Sequence, residues 1–168
     1  MGSKRIKNKN FKKFCGKPII FYSIQAALKS KLFDKIHIST NDINIKKKIK
    51  NFPIEIDFFR PNSLSGDKIG LISVFRFIIK KYKKLGYVFD EVWFVTPCSP
   101  LLEHSDLINS AKFFDKNSFA NSMLAISEYS PPIQWAFKRK NKILQPLNKK
   151  SQNTRSQDLK KMYFDTGT

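Results

Sequence analysis

Cysteine is nearly absent from this chain of 168 residues, with Cys15 and Cys98 the whole supply. Two thiols so far apart make neither a disulfide framework nor a zinc site, and they suit a reducing compartment, so the cytoplasm is the expected location. Histidine is as scarce: His37 and His104 show no metal-ligand spacing, and His37 reads as a packed or surface residue of a strand. No stretch reaches about 18 uninterrupted apolar residues, which argues against a membrane-spanning helix. The basic start leads into no continuous apolar region, so no secretory signal is visible. Neither an internal repeat nor a second domain is apparent, and residues 1–168 are read as a single domain. Acidic residues are few as well, 13 against 32 Lys and Arg, which leaves a net charge of +19.

That charge suits nucleic acid, an anionic membrane surface, or polyphosphate and acidic-sugar ligands. Charge alone does not choose among them. The lysines are dispersed (Lys46-Lys47-Lys48, Lys80-Lys81, Lys83-Lys84, Lys149-Lys150), as on solvated faces rather than one recognition stripe. Hydrophobic residues make up 41% and Phe numbers 16, enough for a globular fold with a sizeable core. Most of the phenylalanines sit at core spacing instead of alternating with the basic runs, so a nucleic-acid-binding protein ranks second.

Residues 18–33 read as a helix, with Pro18 at its first position and Ile20, Ile24, Ala27 and Leu28 on one face. Ile36–Thr40 reads as a strand, and Asn41-Asp42 caps a short helix carrying Ile45 and Ile49. Ile54, Ile56 and Phe58 alternate with Glu55 and Asp57 in a second strand that ends at Arg60-Pro61. After a Ser- and Gly-rich loop, Leu71, Phe75, Ile78, Ile79, Tyr82 and Leu85 trace a helical stripe closed by Gly86. Val92–Val95 is a continuous apolar run, expected as a central parallel strand covered on both faces. The prolines of Thr96–Pro100 end it, and Ser105 offers the cap of a further helix with Leu107, Ile108, Ala111 and Phe114. Residues 119–128 read as a strand, and Lys138–Lys142 as a hairpin turn between two exposed strands.

This alternation predicts an α/β fold, doubly wound around a mostly parallel sheet. In such sheets ligands bind beyond the carboxyl ends of the strands. Ser39–Asp42, Arg60–Asp67 and Thr96–Pro100 all follow strand ends. They are expected to meet the N-terminal loop, where Gly2-Ser3 is followed by Lys4, Arg5, Lys7 and Lys9. Glycine lets backbone wrap an anion and the cations suit a polyphosphate, although a solvated basic tail has the same composition.

Gly2-Ser3-Lys4-Arg5…Lys9-Asn10 with Gly16-Lys17-Pro18 resembles the nucleotide-binding loop of the N-acylneuraminate cytidylyltransferases, which join CMP to nine-carbon acidic sugars. Ser39-Thr40-Asn41-Asp42 resembles that family's Ser-Thr-Asp-Asp, with Asn41 in place of the first acid. Arg60-Pro61…Leu64…Asp67 resembles its Arg-Pro-x-x-Leu-x-x-Asp. Thr96-Pro97-Cys98-Ser99-Pro100-Leu101 resembles its Pro-Thr-Ser-Pro-Leu turn, with Cys98 at the Thr position and no base beside it to suggest a nucleophile. Pro132-Ile133-Gln134 and Asn153-Thr154-Arg155-Ser156-Gln157-Asp158-Leu159 are similar to segments of the pseudaminic acid branch, and Tyr163-Phe164-Asp165-Thr166-Gly167 matches Tyr-His-Asp-Ala-Gly in part.

The resemblance implies a nucleotide-diphospho-sugar transferase-like fold and transfer of CMP from CTP, with Mg²⁺ as cofactor and a homodimer as the assembly. It assigns the phosphates to Lys4 and Lys9, the catalytic pair, with Arg5. Ser3, Asn10, Ser39, Arg60 and Asp67 fall to the rest of the nucleotide. Pro97, Ser99, Gln134, Arg155, Gln157 and Asp165 fall to the sugar, Arg155 through a bidentate pair with its carboxylate or else engaged in a structural salt bridge. No metal ligand is assigned within the chain. A nucleotidyltransferase for another sugar is the neighbouring alternative. The family's first strand and its Arg-Gly pair would precede Gly2, and its metal-binding aspartates would follow Thr168. The chain is therefore expected to be a fragment lacking the first strand, poorly soluble and of little activity.

Overall fold

In the computed structural model the described residues are 6, 8–66, 68–117 and 122–166. They fall into two compact units, Met1–Asn117 and Ser118–Thr168. The first opens with a 3-10 turn, Lys9–Phe11, and a two-stranded ribbon of β1 (Lys13–Phe14) and β2 (Lys17–Pro18). Cys15 and Gly16, the two residues between the strands, have φ of +45° and +82°, the positive values a two-residue hairpin of type I′ requires.

Helix α1 (Ile20–Ser30) follows at once, so Pro18 closes the ribbon instead of opening the helix. Its apolar positions divide between two clusters. Ile20 and Ile24 join Ile45, Ile49 and Ile56, with Phe11, Ile38, Ile54 and Phe59 packed around them. Ala26 and Ala27 join Leu107, with Phe33, Trp93 and Val95 around those. Short helix α2 (Ile45–Lys48) buries Ile45 and turns its lysines outward, after an Asx turn in which Asp42 accepts from the Asn44 amide at 3.0 Å.

Helix α3 (Leu71–Lys84) ends in a Schellman motif. The Tyr87 amide donates to the Tyr82 carbonyl at 3.0 Å and the Gly86 amide to that of Lys83 at 3.2 Å, while Gly86 takes φ +86°. Helix α4 (His104–Lys116) begins with a capping box. Glu103, not Ser105, is its cap, and the Glu103 amide donates to Asp106 Oδ2 at 2.9 Å. In the second unit β3 (Ile126–Glu128) pairs antiparallel with β6 (Tyr163–Asp165), and β4 (Phe137–Lys140) with β5 (Ile143–Pro146) around Asn141 at φ +56°. The hairpin expected at 138–142 is present. Of the strand expected over 119–128, residues 126–128 form it, and 118–121 lie outside the described residues.

The described residues thus form a mixture of helices and small sheets. The doubly wound parallel sheet is not what the described residues form: their ladders are three antiparallel pairs. Segments 36–40, 54–59 and 92–96 lie outside any ladder. Alternating hydrophobicity specifies which side of a segment is buried, whereas a ladder needs a partner backbone about 4.8 Å away. Side chains anchor these segments instead. The run Val92–Val95 shows the same difference. Trp93 and Val95 pack on the second cluster, but Val92 and Phe94 are 46% and 40% exposed, so one face is covered rather than two.

Candidate functional site

Three of the loops expected at the site are tied down by side chains. Ser23, on the buried face of α1, donates through Oγ to the Thr96 carbonyl at 2.8 Å. The Thr96 and Ser99 hydroxyls share a 2.5 Å hydrogen bond that folds the turn around Pro97 and leaves Ser99 buried. The Cys98 thiol donates to Asn10 Oδ1 at 3.2 Å, so Asn10 meets the turn that carries Pro97 and Ser99. With its carbonyl occupied, the Asn10 carboxamide keeps its NH₂ group as a donor.

A second junction joins the loops after 36–40 and 54–59. The Arg60 amide donates to the Thr40 carbonyl at 2.7 Å, and Asn41 Nδ2 donates to Asn62 Oδ1 at 3.0 Å. Ser39 Oγ, Asn41 Oδ1 and Arg60 Nε are buried there with no hydrogen-bond partner among the described residues. Each such group costs about 1–3 kcal/mol when left unsatisfied, so these three on adjoining loops are open to a partner that the described residues do not supply, water or a bound molecule. Burial also holds the Arg60 guanidinium below its ordinary range.

The 3-10 turn bearing Lys9 and Asn10 reaches the same region through Phe11, which packs in the first cluster with Ile38 and Phe59, the neighbours of Ser39 and Arg60. A cavity of about 520 Å³ lies beside it, lined by Asn8, Phe11, Lys12 and Lys48. Lys48 Nζ stands 4.5 Å from the centre of the Phe11 ring and 3.0 Å from Asp42 Oδ2. Lys9 is exposed on the turn. Ser3, Lys4, Arg5 and Asp67 lie outside the described residues.

The remaining positions expected at the sugar belong to the second unit. Gln134 Nε2 donates to the Lys160 carbonyl at 2.7 Å, while its Oε1 is buried without a partner. Arg155 Nε pairs with Asp158 Oδ2 at 2.8 Å, both side chains well exposed, which is the salt bridge the sequence left open as the alternative. Gln157 Oε1 accepts a long 3.4 Å bond from the Ser156 hydroxyl. Asp165 sits in β6 opposite Ile126, and the following Thr166 donates to the Ala125 carbonyl.

Among the described residues no three His, Cys, Asp or Glu side chains come together as a metal cage. Asp42, the acid beside the cavity, is committed: Lys48 first, then the Asn44 amide, hold its carboxyl below the usual range. Among the described residues the carboxylates do not gather into a magnesium cage. Sequence reasoning missed Ser23, Thr40 and Lys48 as site-building residues and the Cys98–Asn10 contact, because each depends on a partner distant in the chain.

Comparison with known proteins supplies the class, that of a nucleotide-handling protein. The family model for cytidylyltransferases matches residues 1–168. The pseudaminic acid cytidylyltransferase of Campylobacter jejuni is 34% identical over 99% of this chain and 72% of the relative. A Helicobacter pylori protein, pseudaminic acid cytidylyltransferase and UDP-2,4-diacetamido-2,4,6-trideoxy-beta-L-altropyranose hydrolase, is 32% identical over 98% of this chain and 31% of its own length. The N-acylneuraminate cytidylyltransferase of Escherichia coli is 25% identical over 88% of this chain and 32% of its own. The chain belongs to the cytidylyltransferase family.

Proposed function

We propose that the chain transfers CMP from CTP to a nine-carbon acidic sugar, with pseudaminic acid the preferred acceptor. The observation that carries this reading is the set of three unpartnered polar atoms on Ser39, Asn41 and Arg60. Ser39 and Arg60 are two of the positions whose motifs resemble the family's nucleotide-holding segments. The sugar's anomeric hydroxyl attacks the α-phosphorus: a new O–P bond forms, the bond to the β-phosphate oxygen breaks, pyrophosphate leaves and the hydroxyl proton is lost. Such chemistry rests on positioning and charge neutralisation. Lys4 and Lys9, with Arg5, neutralise the phosphates. Ser3, Asn10, Ser39, Arg60 and Asp67 hold the nucleotide, and Asn10 does so with its free NH₂. The motif resemblance assigns Pro97, Ser99, Gln134, Gln157 and Asp165 to sugar recognition, and Arg155 to the sugar's carboxylate, for which it would exchange Asp158. Magnesium enters as part of the substrate, chelated by the phosphates of CTP.

The setting is cytoplasmic, and among the described residues no helix is long and apolar enough to cross a membrane. The working form is a homodimer. Its contact is the β4–β5 hairpin, where Phe137, Ile143, Leu144 and Leu147 are more than half exposed. A monomer by light scattering at micromolar concentration overturns the dimer. A pyrophosphate-release panel over four nucleotides and several acidic sugars tests the reaction. Release is expected with CTP and pseudaminic acid. Faster release with another nucleotide than with CTP overturns the assignment.

A further inference from the structure

The first unit contains a polar cluster that the transfer reaction does not use. Tyr82, on α3, is 2% exposed and donates its hydroxyl to Asp57 Oδ2 at 2.7 Å. Lys35 Nζ holds the other carboxylate oxygen at 3.0 Å, their side chains 19% and 20% exposed. His37 Nδ1 lies 3.1 Å from the Tyr82 hydroxyl. Since that hydroxyl donates to Asp57, its oxygen accepts from His37, which requires the Nδ1–H tautomer. The His37 ring stacks on Phe58 at 4.6 Å, and Tyr82 meets both rings edge-on at 5.6 and 5.0 Å.

This cluster spans the two segments that no ladder joins. His37 stands two residues before Ser39, and Asp57 and Phe58 stand three and two before Arg60. We propose that Tyr82, Asp57 and His37 form a side-chain clamp that takes the place of strand pairing and fixes the Ser39–Asn41 loop against the Arg60–Asn62 loop, making Tyr82 a positioning residue for the nucleotide site. The proposal rests on the nucleotide reading of those loops for its functional half only. The groups facing His37 fit a clamp that holds at neutral pH. Burial pushes the imidazole down to about 4, against the pull of Asp57 and with the help of Lys35. Burial pushes the Asp57 carboxyl up, but the bonds from Tyr82 and Lys35 outweigh it and hold it below the usual range. Burial, with Asp57, pushes the Tyr82 phenol well above its usual range, Tyr87 adding to the effect.

Tyr82→Phe removes one oxygen and keeps the ring contacts. Amide hydrogen exchange then reads the clamp directly, because the Arg60 amide donates to the Thr40 carbonyl across the junction. The expected result is exchange at Arg60 faster by tenfold or more, unchanged exchange at the α1 amides, and CTP affinity by calorimetry about tenfold weaker. Unchanged exchange at Arg60 overturns the clamp, and so does equal acceleration throughout α1, which marks a general loss of stability. A selective acceleration with wild-type protein that binds no CTP leaves the clamp standing and removes the nucleotide reading. Should Tyr82→Phe fail to fold, nitrogen-detected NMR of wild-type His37 decides: the Nδ1–H tautomer supports the clamp and the Nε2–H tautomer overturns it.

Discussion

Arg60 carries a polar atom that no described residue satisfies, and this separates its effect on binding from its effect on stability. Its Nε is buried and unpartnered. Arg60→Ala removes that group together with its desolvation penalty of about 1–3 kcal/mol. The melting temperature is therefore expected to stay level or rise by a few degrees, while calorimetric affinity for CTP falls at least tenfold. A drop in both would show that Arg60 serves the fold. His37 is the other informative side chain. Burial holds it near 4 in the folded chain, against about 6.5 when unfolded. Between those values the unfolded chain binds a proton that the folded chain does not, so stability falls as pH drops from 6.5 towards 4. Asp57, depressed in the folded state, adds to the slope only below about pH 5, where its unfolded carboxyl begins to bind a proton, so the part from 6.5 to 5 belongs to His37. His37→Gln should flatten the window in denaturant titrations, and an unchanged slope would assign the effect elsewhere.

At the scale of elements, what the sequence made legible was local. The 3.6-residue stripe from Leu71 to Leu85 located α3, and Gly86 marked its end because φ +86° is open to glycine at little cost. A Cβ placed on Gly86 would meet nothing within 4 Å. Gly86→Ala is accordingly expected to cost only the backbone strain, about 1–2 kcal/mol, readable as a lower denaturant midpoint with an unchanged m-value. The start of α4 was misjudged because Ser105 and Glu103 both suit a cap, and the reciprocal bonds of the box decide for Glu103. Glu103→Ala should cost about 1 kcal/mol and Ser105→Ala nearly nothing; the reverse order would contradict the assigned cap. Pairing was the illegible part. Ile54, Ile56 and Phe58 announce a buried side, but nothing in their alternation says whether another backbone runs alongside. The site divides in the same way. Motifs pointed to Asn10, Ser39 and Arg60 one at a time, whereas the contacts that gather them, Cys98 with Asn10 and Thr40 with Arg60, join residues far apart in the chain.

For the whole molecule the dominant quantity is the charge of +19. CTP is a polyanion, so association is steered by a field that salt screens over about 10 Å at 0.1 M. Stopped-flow association of CTP should slow several-fold between about 20 and 300 mM salt, with a smaller change in dissociation. A rate indifferent to salt would mean that the dispersed lysines do not act together.

Helix α1 has a consequence of another kind. Ile24 belongs to one apolar cluster and Ala27 to the other, three positions apart on the same helix. A helix turn cannot fray on one side and persist on the other, so the two clusters that α1 joins cannot come apart in stages. Damage to the Ile45–Ile49 side is transmitted to Trp93, although Trp93 packs in the other cluster. The two clusters are therefore expected to melt together, joined through a single eleven-residue segment.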